Sequence, residues 1–182
     1  MATILQQRKL DKAFHHLDVN RNGYVEEQDL TALGVRLLAN FGVGHDDPRA
    51  RKIADGFGTF WTALATALDA DGDRRLSPAE YRDGMLAGFG GPDGGFDQHF
   101  RPGAMAVLEL ADTDGDGYVS RDEFATMQRA FGTVPDESDY AFDQLDLDGD
   151  GRLSLDEMIE AVREFYVGAD DNAVGTWFFG RV

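Results

Sequence analysis

Apolar residues along the chain recur at intervals of three and four in separate stretches, the period of amphipathic helices. Residues 3–17 carry Ile4, Leu5, Leu10, Phe14 and Leu17 at that spacing, and a second stretch runs from Leu30 to about Phe41. After a Gly/Asp/Pro interruption at 42–48, a longer helix is predicted over about 49–68, bearing Phe57, Phe60, Trp61, Leu64 and Leu68. Ser77, Pro78 and Glu80 read as cap, first-turn proline and box glutamate of the next helix, which bears Tyr81. The pattern lapses in the glycine-dense run Gly88–Gly95, read as a hinge between halves 1–90 and 91–182. It resumes around Pro102 with Met105, Val107, Leu108 and Leu110, continues over 124–131 and 135–145, and returns at Met158.

Four polar twelve-residue stretches separate these helices, and each repeats one arrangement of oxygen-bearing side chains. In 112–123, Asp112, Asp114 and Asp116 take the first, third and fifth places, Gly117 the sixth, and Glu123 the twelfth. A hard cation such as calcium takes six to eight oxygens, and a short loop can wrap them around it. The three aspartates would give one oxygen each, Tyr118 its backbone carbonyl, and Glu123 two from the far side. Ser120 and Glu123 also form a capping box, so the residues closing the metal site start the next helix. This is the pattern of an EF-hand calcium loop.

The stretch 146–157 matches at every place, with Asp146, Asp148, Asp150, the Arg152 carbonyl and Glu157. In 18–29 the ligands are Asp18, Asn20, Asn22, the Tyr24 carbonyl and Asp29. Because Asp29 is one methylene shorter than glutamate, six-coordination by a smaller ion is favoured there, and magnesium is a candidate occupant. In 69–80, Asp69, Asp71, Asp73, the Arg75 carbonyl and Glu80 keep their places, but Arg74 stands where glycine is expected. A left-handed backbone costs a non-glycine residue roughly 1–2 kcal/mol. Three calcium sites are therefore expected, with 69–80 a weakened fourth. Loops so repeated should pair through their eighth residues, Val25 with Leu76 and Val119 with Leu153.

Composition narrows the alternatives. The 182 residues carry a net charge of −17, which repels itself in the compact state unless cations neutralise it. Nucleic acid is not an expected partner, because no basic stripe could displace its counterions. With no cysteine, disulfides, thiolate zinc sites and thiol catalysis are unavailable. The first ten residues lack the apolar run of a signal peptide, and no stretch is long enough to span a membrane, so a cytoplasmic monomer is expected. Arginine outnumbers lysine fourteen to three, which points to a GC-rich, bacterial genome. His15, His16, His45 and His99 show no zinc spacing and read as surface or packing residues.

The four loops, the long gap between the first two, and the C-terminal Trp177-Phe178-Phe179-Gly180 resemble the sarcoplasmic calcium-binding protein and calerythrin family. The resemblance implies an all-α protein of four EF-hands in two lobes packed face to face, buffering calcium in exchange with magnesium. It also implies occupancy of the first, third and fourth loops; the second departs from the family's degenerate form by keeping its acids. A buffer, not an enzyme, is thus expected. The alternative is a sensor that exposes a groove to a protein partner. Five methionines against thirteen phenylalanines favour the closed core of a buffer. The three tail aromatics are expected to fold back onto the protein, as a plug in a hydrophobic groove, a patch on their own lobe, or a dimer contact.

Overall fold

A computed structural model describes residues 3–89, 95–168, 170 and 172–182. Most of the expected hinge, residues 90–94, lies outside them. The first half contains α1 (Ile4–Leu17), α2 (Glu27–Asn40), α3 (Pro48–Leu68) and α4 (Pro78–Gly84), the last running on into a π-helical turn at Met85–Phe89. The second half begins with a π-helical turn at Phe96–Phe100 and continues as α5 (Arg101–Ala111), α6 (Arg121–Phe131), α7 (Pro135–Leu145) and α8 (Leu155–Val167). A 3-10 turn at Val174–Trp177 starts the tail.

Three boundaries differ from expectation, and one is α6, which begins at Arg121 and not at 124. Helix α2 begins at Glu27 and not at Leu30, because Asp29 at its third position accepts the Glu26 N–H and closes the first turn while still inside the loop. Helical backbone in the second half starts at Phe96, six residues before Pro102. Phe96 and Phe100 are buried and stacked there, with ring centroids 5.1 Å apart.

The eighth loop residues pair as predicted. Val25 and Leu76 exchange both backbone hydrogen bonds, at 3.0 and 2.9 Å. Val119 lies opposite Leu153 in an antiparallel pair of short strands, β1 (Tyr118–Ser120) and β2 (Arg152–Ser154). All four side chains are buried, so each bridge fixes two loops to one patch of core. Alternation then turns the seventh and ninth residues of those strands to the opposite face.

A single apolar core runs through both halves. The two halves approach closely where α3 crosses α5, and a Cβ added to Gly56 would lie 2.9 Å from the Gly103 Cα. Two glycines let those backbones touch, and a side chain at Gly56 would force the two helices to shift, while one at Gly103 would meet the Gly56 carbonyl oxygen at 3.3 Å. The chain ends are clamped as well. Lys9 of α1 is buried, and its Nζ donates to the carbonyls of Glu164 (2.9 Å) and Gly168 (3.1 Å) at the end of α8. An ammonium there meets the negative end of the helix dipole.

The tail folds back, as two of the three expected arrangements require. Phe178 and Phe179 are 3% and 2% exposed. Phe178 packs edge-on against Phe124 of α6, and its carbonyl accepts from the buried Gln128 Nε2 at 2.7 Å. Phe179 meets Phe131 and Phe165, and also His16 of α1, 4.6 Å away. The tail therefore spans both lobes. Trp177 differs: it is only half-buried, lying edge-on to Tyr140 at 5.8 Å, because the 3-10 turn directs it along α7 and not inward.

Candidate metal centres

In each loop the first residue caps the preceding helix and organises the turn after it. Asp112 Oδ1 accepts from Gly115 N (2.8 Å) and Asp116 N (3.1 Å), and its Oδ2 from Gly117 N (3.0 Å). Asp146 and Asp69 do the same, accepting from Gly149 and Gly151, and from Gly72 and Arg74. Asp18 accepts from Asn22 N at 3.1 Å and Gly23 N at 3.0 Å. The fifth residue then accepts from the seventh's N–H: Asn22 from Tyr24, Asp73 from Arg75, Asp116 from Tyr118, and Asp150 from Arg152. These bonds hold the side-chain oxygens on the inner side of the turn, before any ion is considered.

The twelfth residue closes the loop from the following helix. Glu123 Oε2 accepts from Ser120 N and Oγ, both at 2.8 Å, while Oε1 accepts from Thr113 N at 2.8 Å and from the Thr113 hydroxyl. Burial pushes this carboxyl up, but the Thr113 and Ser120 hydrogen bonds outweigh it and leave the group below the usual carboxylate range. Glu80 is likewise held low, chiefly by the Ser77 N–H. Glu157 accepts from Ser154 N (3.1 Å) and Oγ (2.8 Å). Asp29 is 1% exposed, and burial raises its pKa against the hydrogen bonds from Asn20 and Glu26. Its two oxygens face those two N–H groups at 3.1 and 3.0 Å.

Carboxylate oxygens converge in three of the loops. Asp69, Asp71 and Asp73 bring theirs within 4.8 Å of one another, as do Asp112, Asp114 and Glu123, and Asp146, Asp148 and Asp150. Glu80, Asp116 and Glu157 lie at their loop positions outside these groups. The first loop has only two acids among its ligands, Asp18 and Asp29, with Asn20 and Asn22 between them. Hard anionic oxygens with no nitrogen or sulfur suit calcium or magnesium over transition metals.

Two features escaped the sequence pattern. Arg74 takes the expected left-handed backbone, with φ 60°, but Arg21 at the fourth place of the first loop does so too, with φ 57°. The other loops have glycine there, Gly72, Gly115 and Gly149, at φ 72° to 79°. The first and second loops thus carry one strained arginine each, and the third and fourth carry none. Second, the seventh residues of paired loops touch. The Arg75 guanidinium lies over the Tyr24 ring and that of Arg152 over Tyr118, each 4.4 Å from the centroid. The sequence signal for this contact was an Arg and a Tyr at equivalent places beside the eighth-residue bridge, where diagonal neighbours on one face are within reach.

A family model for an EF-hand domain pair matches residues 103–163, which hold the third and fourth loops. Calerythrin of Saccharopolyspora erythraea is 28% identical over 174 residues, covering 94% of this chain and 97% of that one. A calcium-binding protein of Streptomyces coelicolor, described as a basis for prokaryotic calcium-mediated regulation, superposes with a TM-score of 0.80 at 30% identity. That match covers 91% of this chain and 99% of the other. The sarcoplasmic calcium-binding protein of amphioxus shares the fold, with a TM-score of 0.77 at 16% identity over the whole of both chains. With loops built for hard dications and that degree of likeness to the Streptomyces protein, the chain belongs to the EF-hand calcium-binding proteins of the sarcoplasmic calcium-binding protein and calerythrin family.

Proposed function

We propose that this calcium-binding protein acts as a buffer, taking up ions without opening a surface for a partner. The observation that carries this reading is the tail: Phe178 and Phe179 occupy the apolar space beside α6 and α8 that a sensor would offer to a target helix. The ligands we assign are Asp112, Asp114, Asp116, the Tyr118 carbonyl and Glu123 in the third loop, and their counterparts Asp146, Asp148, Asp150, the Arg152 carbonyl and Glu157 in the fourth. Asp18, Asn20, Asn22, Tyr24 and Asp29, and Asp69, Asp71, Asp73, Arg75 and Glu80, form the remaining two. The strain at Arg21 and Arg74 makes these the weaker pair, and the short Asp29 suits the first loop to magnesium. The halves 1–90 and 91–182 act as two lobes of one body, in the cytoplasm and as a monomer.

Three bound dications would bring six positive charges and take the net charge from −17 to −11, so binding stabilises the fold. Titration calorimetry of the chelator-stripped protein tests the assignment, and fewer than two calcium ions per chain at millimolar calcium would overturn it. A second reading, a calcium sensor, is favoured by the regulatory role described for the Streptomyces relative. The fluorescence of an apolar dye separates the two readings: calcium lowers it for a buffer and raises it strongly for a sensor.

A further inference from the structure

We propose that Arg75 and Arg152 are positioning residues that couple the two metal loops of each lobe, an inference that rests on the calcium assignment above. Each arginine touches both loops of its pair. Within its own loop, the Arg152 guanidinium donates to Asp150 Oδ2 through Nη2 (3.2 Å) and Nε (3.4 Å), while Asp150 Oδ1 accepts the Arg152 N–H at 2.9 Å. Across the bridge, the same guanidinium covers the Tyr118 ring. Arg75 repeats the arrangement, with Nη2 and Nε at 3.0 and 3.2 Å from Asp73 Oδ2 and its face over Tyr24. Each lobe thus pairs one latched loop with one unlatched loop, whose fifth residue, Asn22 or Asp116, has no arginine at the seventh place to hold it.

The chemistry follows from charge. Asp150 stands at a ligand place, and a dication drawn to its carboxylate repels a guanidinium on the same oxygens. Filling the fourth loop therefore displaces Arg152 from Asp150. The Tyr118 ring is the surface it already rests on, and the ring's negative face attracts it. Tyr118 in turn carries the backbone carbonyl assigned to the third loop. Occupancy of one loop is thereby passed to the other through a side chain that binds no metal, in addition to the strand pairing. A planar guanidinium can hold both contacts at once; an ammonium of equal charge cannot lie flat on a ring while gripping a carboxylate.

The test uses the full chain carrying Glu123→Gln, which weakens the third loop so that the fourth can be filled alone, with the Tyr118 ring protons followed by NMR during calcium titration. The ring resonances are expected to move in step with fourth-loop occupancy, and Arg152→Gln or Arg152→Lys to abolish that movement. In the otherwise unmodified chain, calorimetry should show the fourth-loop affinity depending at least fivefold on whether the third loop is intact, with that dependence falling in both arginine variants to the smaller part carried by the strand pairing. A ring that stays silent, or coupling as strong in Arg152→Lys as in the parent chain, overturns the latch. The wild-type stoichiometry keeps the two ideas apart: a chain that takes up no calcium refutes the assignment and the latch with it, whereas normal uptake with a silent ring refutes the latch alone.

Discussion

Arg21 and Arg74 occupy left-handed backbone, at φ 57° and 60°, in the two loops of one lobe, while the equivalent places of the other lobe hold Gly115 and Gly151 among four glycines. The strain falls at the fourth place in one loop and the sixth in the other. Replacing either arginine by glycine should relieve roughly 1 kcal/mol. That relief becomes a several-fold gain in calcium affinity to the extent that the free loop leaves this backbone and the bound loop requires it. Calorimetry of Arg21→Gly and Arg74→Gly would measure it. Unchanged binding in both would mean that ligand number, and not backbone strain, sets the ranking of the lobes.

Closing the third loop depends on Glu123, which two N–H groups and two hydroxyls hold in place. Glu123→Gln leaves a side chain of the same shape that supplies one neutral oxygen where two shared a charge. The expected loss is tenfold or more in the affinity of one site, about 1.4 kcal/mol per decade. Glu157→Gln should behave alike, and Glu80→Gln should change total binding much less, because its loop is already strained. Equal losses from all three would place the second loop among the tight sites.

The extent to which this was legible in the sequence varied with the range of the interaction concerned. Ligand spacing, the Ser77 and Ser120 caps and the pairing of Val25 with Leu76 are local or repeat at fixed intervals, so the residues announce them. The left-handed turn at Arg21 was hidden because its loop keeps glycine at the more familiar sixth place, Gly23. The contact of Gly56 with Gly103 joins helices that no repeat relates, and the clamp of Lys9 on α8 joins residues 155 and 159 positions apart. Tertiary packing of that kind leaves no periodic trace. The tail aromatics were readable as buried, but not the half-exposure of Trp177, which a single 3-10 turn decides.

Phe179 ties the C-terminus to both lobes, touching α6, α8 and α1 at once. Its truncation to alanine should cost about 3–5 kcal/mol, the usual range for a fully buried phenylalanine. Denaturant unfolding in saturating calcium would read the loss directly. If the side chain closes the apolar space, dye fluorescence of the calcium-bound variant should also rise above that of the parent chain. A loss below 1 kcal/mol with no rise in dye binding would show that the tail merely rests on the surface.

Acid should weaken the same junction through His16. Burial lowers its pKa from 6.5 to about 3, and the nearby charges of Lys12, His15 and Arg36 push in the same direction. The ring lies edge-on to Phe179, with Nδ1 buried and lacking a hydrogen-bond partner among the described residues. In the unfolded chain the imidazole takes up a proton below pH 6.5; in the folded protein it does so only near pH 3. The stabilisation is therefore complete above pH 6.5 and is lost progressively as pH falls from there towards 3. At pH 5 the loss is about 2 kcal/mol. Calcium release at low pH destabilises the fold as well, so the comparison is with His16→Leu, which keeps the packing and cannot titrate. Measured in saturating calcium, the parent chain should lose more stability than the variant between pH 7.5 and 5. Equal losses would mean that water reaches the folded imidazole and that the tail does not seal this junction.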